Sequence, residues 1–230
     1  MAQEKPNLFH FLQRYYESVS DLGMSPYLVL DTSAVIDLEQ AFQKRYGLLR
    51  SHLFLEELSH TARGMEFIVT EPIKQELVAH HECIRGGRPE ISVTTFEKLQ
   101  RYSSCPTALQ DFRRKQEERI DTVRYTARRS HYALFVGKKA EQDPISSEDW
   151  SVIDFGVMLG IFGEYQFEQN AATGKRRFTN CPKGIVLSSD AHVLLTLEKL
   201  FDFPEGVGLA QYIKPLNVRN YDLHKSEGKK

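Results

Sequence analysis

The sequence predicts an α/β fold: an α/β/α sandwich with a mostly parallel central sheet and a helical insertion. Three observations predict it. Short apolar or β-branched runs recur at Leu28-Val29-Leu30, Phe67-Ile68-Val69 and Ile185-Val186-Leu187, the pattern of strands covered on both faces. Stretches of helical spacing lie between them, which implies right-handed crossovers and parallel pairing. From Glu90 to about Ala140 no strand pattern is convincing, so that region reads as inserted helices.

Composition sets the outer bounds. The chain has 230 residues, 41% of them hydrophobic and 27% charged, ordinary for a globular protein with a sizeable core. Net charge is −1, so contact with nucleic acid would come from local patches rather than a global basic field. Three cysteines, Cys83, Cys105 and Cys181, form no CxxC pair. Their odd number argues against a disulfide framework and for a reducing compartment, so a cytoplasmic setting is expected. Residues 1–6 lack the apolar core of a signal peptide, and no apolar run is long enough to span a bilayer.

Element by element, Asn7 can cap a first helix whose apolar residues are Leu8, Phe11, Leu12, Tyr15 and Tyr16. This helix is expected to pack on the domain or on a second subunit. Its apolar positions, if exposed, would make a homo-oligomer reasonable. A strand over 28–31 runs into a helix bearing Ala34, Val35, Leu38, Ala41 and Phe42, and Asp37 reads as a solvated acid of that helix. A helix from Leu53 to Ala62 ends at Gly64, and Glu66–Thr70 reads as the second strand. Pro72 fits the first turn of the helix that carries Ile73, Glu76, Leu77 and His80.

In the insertion, helices are expected at Thr94–Tyr102 and, continuously, from about Ala108 to Leu134. The window 111–131 holds seven arginines and lysines against four acids, a local charge of +3, with Tyr125 just inside it and Tyr132 just beyond. Arg124, Arg128 and Arg129 are either a solvated face paired with intrahelical acids or contacts to phosphates. Ser146-Ser147-Glu148-Asp149 opens a helix with Trp150, Ile153, Val157, Met158 and Ile161. Residues 164–183 look like an exposed hairpin: Tyr165 and Phe167 on one arm, Gly174 at the turn, then Lys175, Arg176, Arg177 and Phe178. Its basic residues could hold a backbone phosphate while Phe178 stacks a base. Gly184–Ser189 is the third strand, a helix with Val193, Leu194, Leu197 and Leu200 follows, and Val207–Ile213 reads as an edge strand. The division expected is an N-terminal helical extension at 1–26, a domain at 27–216 with its insertion at about 88–140, and a tail at 217–230.

Four acids stand out. In a parallel sheet, Asp31 and Asp190 end strands on one rim. Glu76 lies near the start of the helix after the second strand, and Asp149 in the first turn of its own helix. Gathered there, like charges repel strongly and would be costly to bury without a cation. Hard carboxylate oxygens select Mg²⁺ or Mn²⁺. Thr32, Ser33, Ser188 and Ser189 can donate hydrogen bonds to the acids or to water around the metal. Each acid has a plainer reading as well. Asp31 and Asp190 can cap helices, Asp149 can complement a helix dipole, and Glu76 can be a surface acid. Asp154 is either a partly buried acid with an arginine partner or a further acid of the site. His80, His81 and Cys83 lack the spacing of a structural zinc site.

Leu30-Asp31-Thr32-Ser33-Ala34-Val35, Pro72-Ile73-Lys74-Gln75-Glu76-Leu77, Ile145-Ser146-Ser147-Glu148-Asp149 and Val186-Leu187-Ser188-Ser189-Asp190 resemble, in order and context, the four motifs of PIN-domain nucleases. The resemblance spans about Leu28 to Ile213 and is interrupted at 85–140 and 164–183. It implies a PIN-like fold and a metal-dependent endoribonuclease, with Asp31, Glu76, Asp149 and Asp190 catalytic and around Mg²⁺ or Mn²⁺. A helical hairpin between the second and third motifs is similar in placement, not in local sequence, to that of minimal protein-only RNase P. There it holds transfer-RNA precursors and supports oligomer contacts. RNA is therefore the expected partner, with Arg124, Arg128, Arg129, Lys175, Arg176 and Arg177 as its contacts. Other outcomes are a non-catalytic RNA-binding scaffold, a toxin-type ribonuclease with a protein inhibitor, and a DNA flap nuclease.

Overall fold

Four strands lie parallel in one sheet, in the order β2-β1-β5-β6. The computed structural model describes residues 5–20, 26–85, 88–136, 145–173 and 184–223. Helix α1 (Leu8–Ser20) precedes β1 (Tyr27–Leu30), α2 (Thr32–Tyr46), α3 (Leu53–Thr61) and β2 (Glu66–Ile68). Helix α4 (Glu71–Glu82) leads to the short antiparallel pair β3 (Ile84–Arg85) and β4 (Arg88–Pro89). The insertion holds α5 (Val93–Gln100), α6 (Thr107–Lys115) and α7 (Glu117–His131). Then come α8 (Ser147–Ala172), β5 (Gly184–Ser188), α9 (Ala191–Leu200) and β6 (Ile213–Asn217).

The two inner strands, β1 and β5, are paired from Tyr27↔Gly184 to Leu30↔Leu187, and their apolar runs are fully buried. This is the continuous hydrophobic pattern of strands covered on both faces. Pro215, which lacks an N–H, lies in the edge strand β6, where the missing donor breaks no ladder on the open side. Right-handed crossovers place α2 and α3 on one face of the sheet and α8 and α9 on the other. Helix α8 can approach β5 closely because Gly156 carries no side chain; a Cβ there would stand 3.2 Å from Val186 Cγ2.

The N-terminal helix belongs to the same core. Leu8, Phe9, Leu12 and Val19 are buried, and Tyr15 is 9% exposed. Its start is tied to the other end of the described chain, where Leu8 N–H donates to Asp222 O (3.0 Å). Of the two readings of this helix, packing on the domain is the one these buried residues support.

Three expected elements differ. Residues 147–172 form one helix, so Tyr165 and Phe167 do not lie on a hairpin arm. Phe162 and Tyr165 pack on Phe112, with ring centroids 5.0 and 5.4 Å apart. No proline or turn residue between Gly163 and Gln169 stops the helix. Gly174, Lys175, Arg176, Arg177 and Phe178 lie outside the described residues. Val207–Gln211 is a turn of 3-10 helix with Leu209 buried, and the edge strand comes after it. The helix expected from Ala108 to Leu134 is broken at Gln116 (φ −121°, ψ 21°) and ends in a π-type turn at Tyr132–Val136. The break lets Leu109 and Phe112 of α6 face α8, while α7 packs against both α8 and α9.

Gly64 ends the turn after α3 at φ +95°, and a Cβ there would lie 2.2 Å from Tyr16 Oη. Gly64→Ala should therefore cost about 1–2 kcal/mol from the left-handed backbone alone. The unfolding midpoint should fall by roughly 2–8 °C in a thermal melt.

Candidate active site

The carboxyl ends of β1, β5 and β6 share one rim, and Asp31 ends β1 there. Its N–H still pairs with Leu187 O of β5 (3.1 Å), so the backbone of Asp31 is part of the sheet. Asp31 is the residue before α2, yet its side chain makes no capping bond. Instead Oδ2 accepts from Ser33 Oγ (2.5 Å) and Ser188 Oγ (2.6 Å). Both serines are held in turn: Ser189 N–H donates to Ser33 Oγ (2.9 Å) and Asp190 N–H to Ser188 Oγ (2.9 Å). The helix-cap reading of Asp31 therefore falls away.

Asp31 is 1% exposed, and burial pushes its carboxyl up to about 6. The two serine hydroxyls work against this, and the charges of Asp149 and Glu76 add to it. Burial also raises Asp149, opposed by Ser146 and reinforced by Asp190 and Glu76. Each of the four acids thus enters the field of at least one other.

The other acids are anchored from separate elements. Glu76 of α4 accepts from Thr32 Oγ1 through Oε2 (2.6 Å), which ties α4 to the start of α2. On its other oxygen stands His80, with Nε2 3.8 Å from Oε1, while His80 Nδ1 meets Glu90 Oε2 at 2.5 Å. Asp149 sits in the first turn of α8, where its N–H donates to the capping Ser146 Oγ (3.0 Å). Asp190 caps α9, accepting from His192 N–H through Oδ1 (2.5 Å). Cap and rim acid are both roles of this residue.

Further residues occupy the surroundings. Ser188 and Ser189 are buried at the rim, and Ser189 Oγ has no hydrogen-bond partner among the described residues. Asp154 points to Arg124 (Nη2–Oδ2 3.3 Å), with Arg128 and Arg113 also in its field, so it is the partly buried acid with arginine partners. Arg124 is thereby turned inward, and its Nε is buried with no partner among the described residues. Arg128 lies over the Trp150 ring (5.5 Å) and Arg129 over Phe203 (5.7 Å). Both are exposed, as are Tyr125 and Tyr132, and the four positions follow one helical stripe. His81 stacks on Phe96 (4.9 Å) rather than joining His80, and Cys83 and Cys105 are free thiols.

Two residues near the acids escaped the sequence reading. His80 was weighed only for zinc; its position one turn after Glu76 on α4 was the available signal. His192 lies two residues past Asp190, meets His131 (Nε2···Nδ1 3.3 Å) and stacks on Phe135 (4.2 Å), joining the insertion to the rim. No local pattern announced that contact.

Comparison with protein-family models, curated proteins and solved structures finds no match. Among the described residues no three His, Cys, Asp or Glu side chains form a ready-made group for a metal. The donor set nonetheless has the right chemistry. Hard oxygens from four elements stand within one another's fields, and the buried member, raised chiefly by burial, is raised further by Asp149 and Glu76. No helix of the described residues is long and apolar enough to cross a membrane.

The raised carboxyl has a stability signature. Asp31 holds its proton more tightly folded than at its ordinary value of 3.8, so its contribution is whole below that pH and is lost as pH rises through about 6. In chelator, wild-type unfolding free energy should fall between pH 4 and pH 7 by about 2 kcal/mol more than that of Asp31→Asn. Denaturant titrations across that window check it.

Proposed function

We propose that this chain is a PIN-like, metal-dependent endoribonuclease. The observation that carries the reading is Asp31. It is an acid at the end of an inner strand, bonded to two hydroxyls, its carboxyl raised first by burial and then by the charges of Asp149 and Glu76. A carboxylate in that setting gains most from a divalent cation. The four resembling motifs, in their order, support the same reading.

Asp31, Glu76, Asp149 and Asp190 would hold Mg²⁺ or Mn²⁺, which would supply Lewis acidity to water and phosphate. Ser33 and Ser188 fix the Asp31 carboxylate, and Thr32 fixes that of Glu76. His80 borders the second oxygen of Glu76 and limits its swing. Trp150, the residue after Asp149, and the exposed Arg128 over its ring offer a ring and a cation for a structured RNA, and the exposed Arg129, over Phe203, offers a second cation. A transfer-RNA precursor fits that class of substrate.

A second reading is a non-catalytic RNA-binding scaffold of the same fold. It is favoured by the lack, among the described residues, of a ready-made metal group. Incubation with a pool of folded RNAs, transfer-RNA precursors included, and with DNA separates the two. The nuclease reading expects cleavage with Mn²⁺ or Mg²⁺ and none in chelator. Asp31→Asn should slow it at least about a hundredfold, equal to about 2.7 kcal/mol of barrier. Metal-independent cutting, or full activity in that variant, would sink the proposal. RNA binding without Mn²⁺ binding would leave the scaffold reading standing.

Ser188→Ala removes a donor to Asp31 and the acceptor for Asp190 N–H together. It should weaken Mn²⁺ binding by about tenfold or more in calorimetry while the far-ultraviolet dichroism stays native.

A further inference from the structure

Arg219 lies just past the end of β6, on the rim that carries the acids. The last residue of β6, Asn217, pairs with Ser188, and its side chain accepts from Arg219 N–H (2.9 Å), which sets the turn. The guanidinium grips Asp37 of α2 with a fork: Nε to Oδ2 at 2.6 Å and Nη2 to Oδ1 at 3.3 Å. Asp37 is not the solvated acid that the sequence implied. Its side chain is 19% exposed, whereas that of Arg219 is 66% exposed. The carboxylate is the anchor, and the cation is held out in solvent. The fork uses two of the five guanidinium donors. Asp190 lies near enough for its charge, after that of Asp37, to strengthen the hold of Arg219 on its proton.

Two lysines join it. Lys5 Nζ donates to Arg219 O (2.6 Å), and Lys5, Lys44 and Arg219, three cations against the two acids Asp37 and Asp222, line one open cavity of about 660 Å³ with Tyr221. A rigidly held guanidinium with spare donors, flanked by lysines and set beside a rim acid, suits a tetrahedral oxyanion.

We infer that Arg219, with Lys5 and Lys44, forms a phosphate subsite beside Asp190 that holds the nucleic-acid backbone flanking the acids. The subsite rests on the nuclease reading for its position along the substrate, but its binding is measurable without a metal. It explains how a chain of net charge −1 holds a polyanion next to four acids. The fork alone would also serve as a tether between α2 and the turn after β6. A tether contributes stability, not affinity for phosphate.

The test is fluorescence anisotropy of a fluorescein-labelled oligouridylate in chelator, across a potassium chloride series. Arg219→Ala should raise Kd about fivefold and reduce the slope of log Kd against log salt by about one. Arg219→Lys keeps the charge and loses the fork, so the slope should stay near wild type while affinity recovers only in part. An unchanged slope in Arg219→Ala, or no binding by the wild-type chain, overturns the subsite. Mn²⁺-dependent cleavage measured alongside separates the two proposals. A slope that falls in a chain that never cleaves keeps the subsite and removes the nuclease; cleavage with an unchanged slope does the reverse.

Discussion

The structure around the rim depends on one constraint: the Asp31 carboxylate is buried at the end of an inner strand and must be satisfied there. Moving such a group from water is costly unless hydrogen bonds or an opposite charge meet it. Two serine hydroxyls do so, Ser33 from α2 and Ser188 from β5. Each accepts a backbone N–H from the segment after β5. The carboxylate therefore ties the end of β1 to the end of β5. Because side chains alternate along a strand, a one-residue slip of β5 against β1 would turn Ser188 away and leave the acid bare. The register Leu30↔Leu187 and the rim are one arrangement.

The insertion is joined to that rim by polar contacts as well as by packing. Helix α7 buries Ile120, Val123 and Ala127 against its neighbours and places Arg124 inward on Asp154. Arg128 and Arg129, one turn on, stay exposed. Positions 120, 123 and 127 line the buried side with Arg124 among them, while Arg128, four past Arg124, extends over the Trp150 ring and keeps its exposure. At the end of α7, His131 and Phe135 meet His192, whose backbone N–H donates to the capping Asp190. A shift of the insertion would thus be felt at the fourth acid.

Much of the fold was legible in the residues. The apolar runs at 28–30 and 185–187 are inner strands because nothing but both-face burial accommodates unbroken Leu, Val and Ile. Helix starts at Pro72 and Ser146 were legible from capping chemistry. The misread stretches share a cause. Tyr165 and Phe167 alternate like a strand, yet Tyr165 also falls on the helical stripe of Phe162, and packing on Phe112 decided for the helix. Val207–Gln211 has an apolar pattern too short to separate strand from 3-10 turn. Gln116 is an ordinary helix residue, and only the different partners of α6 and α7 break the helix there.

By itself the sequence determined the parallel α/β sheet, the insertion between its second and third strands, and the four acids at strand ends and helix starts. These are local matters of periodicity, capping and residue chemistry. The tertiary structure alone decided which groups answer those acids. Ser188 reaches Asp31 across 157 positions, Thr32 reaches Glu76 across 44, and Arg219 reaches Asp37 across 182. Asp154 found arginines, one of the two readings its sequence left open, and Asp37 found Arg219 although it read in sequence as a solvated helix acid. The reason is physical: hydropathy and propensity act over a few residues, whereas a buried charge takes its partner from whatever chain the fold brings within about 3 Å.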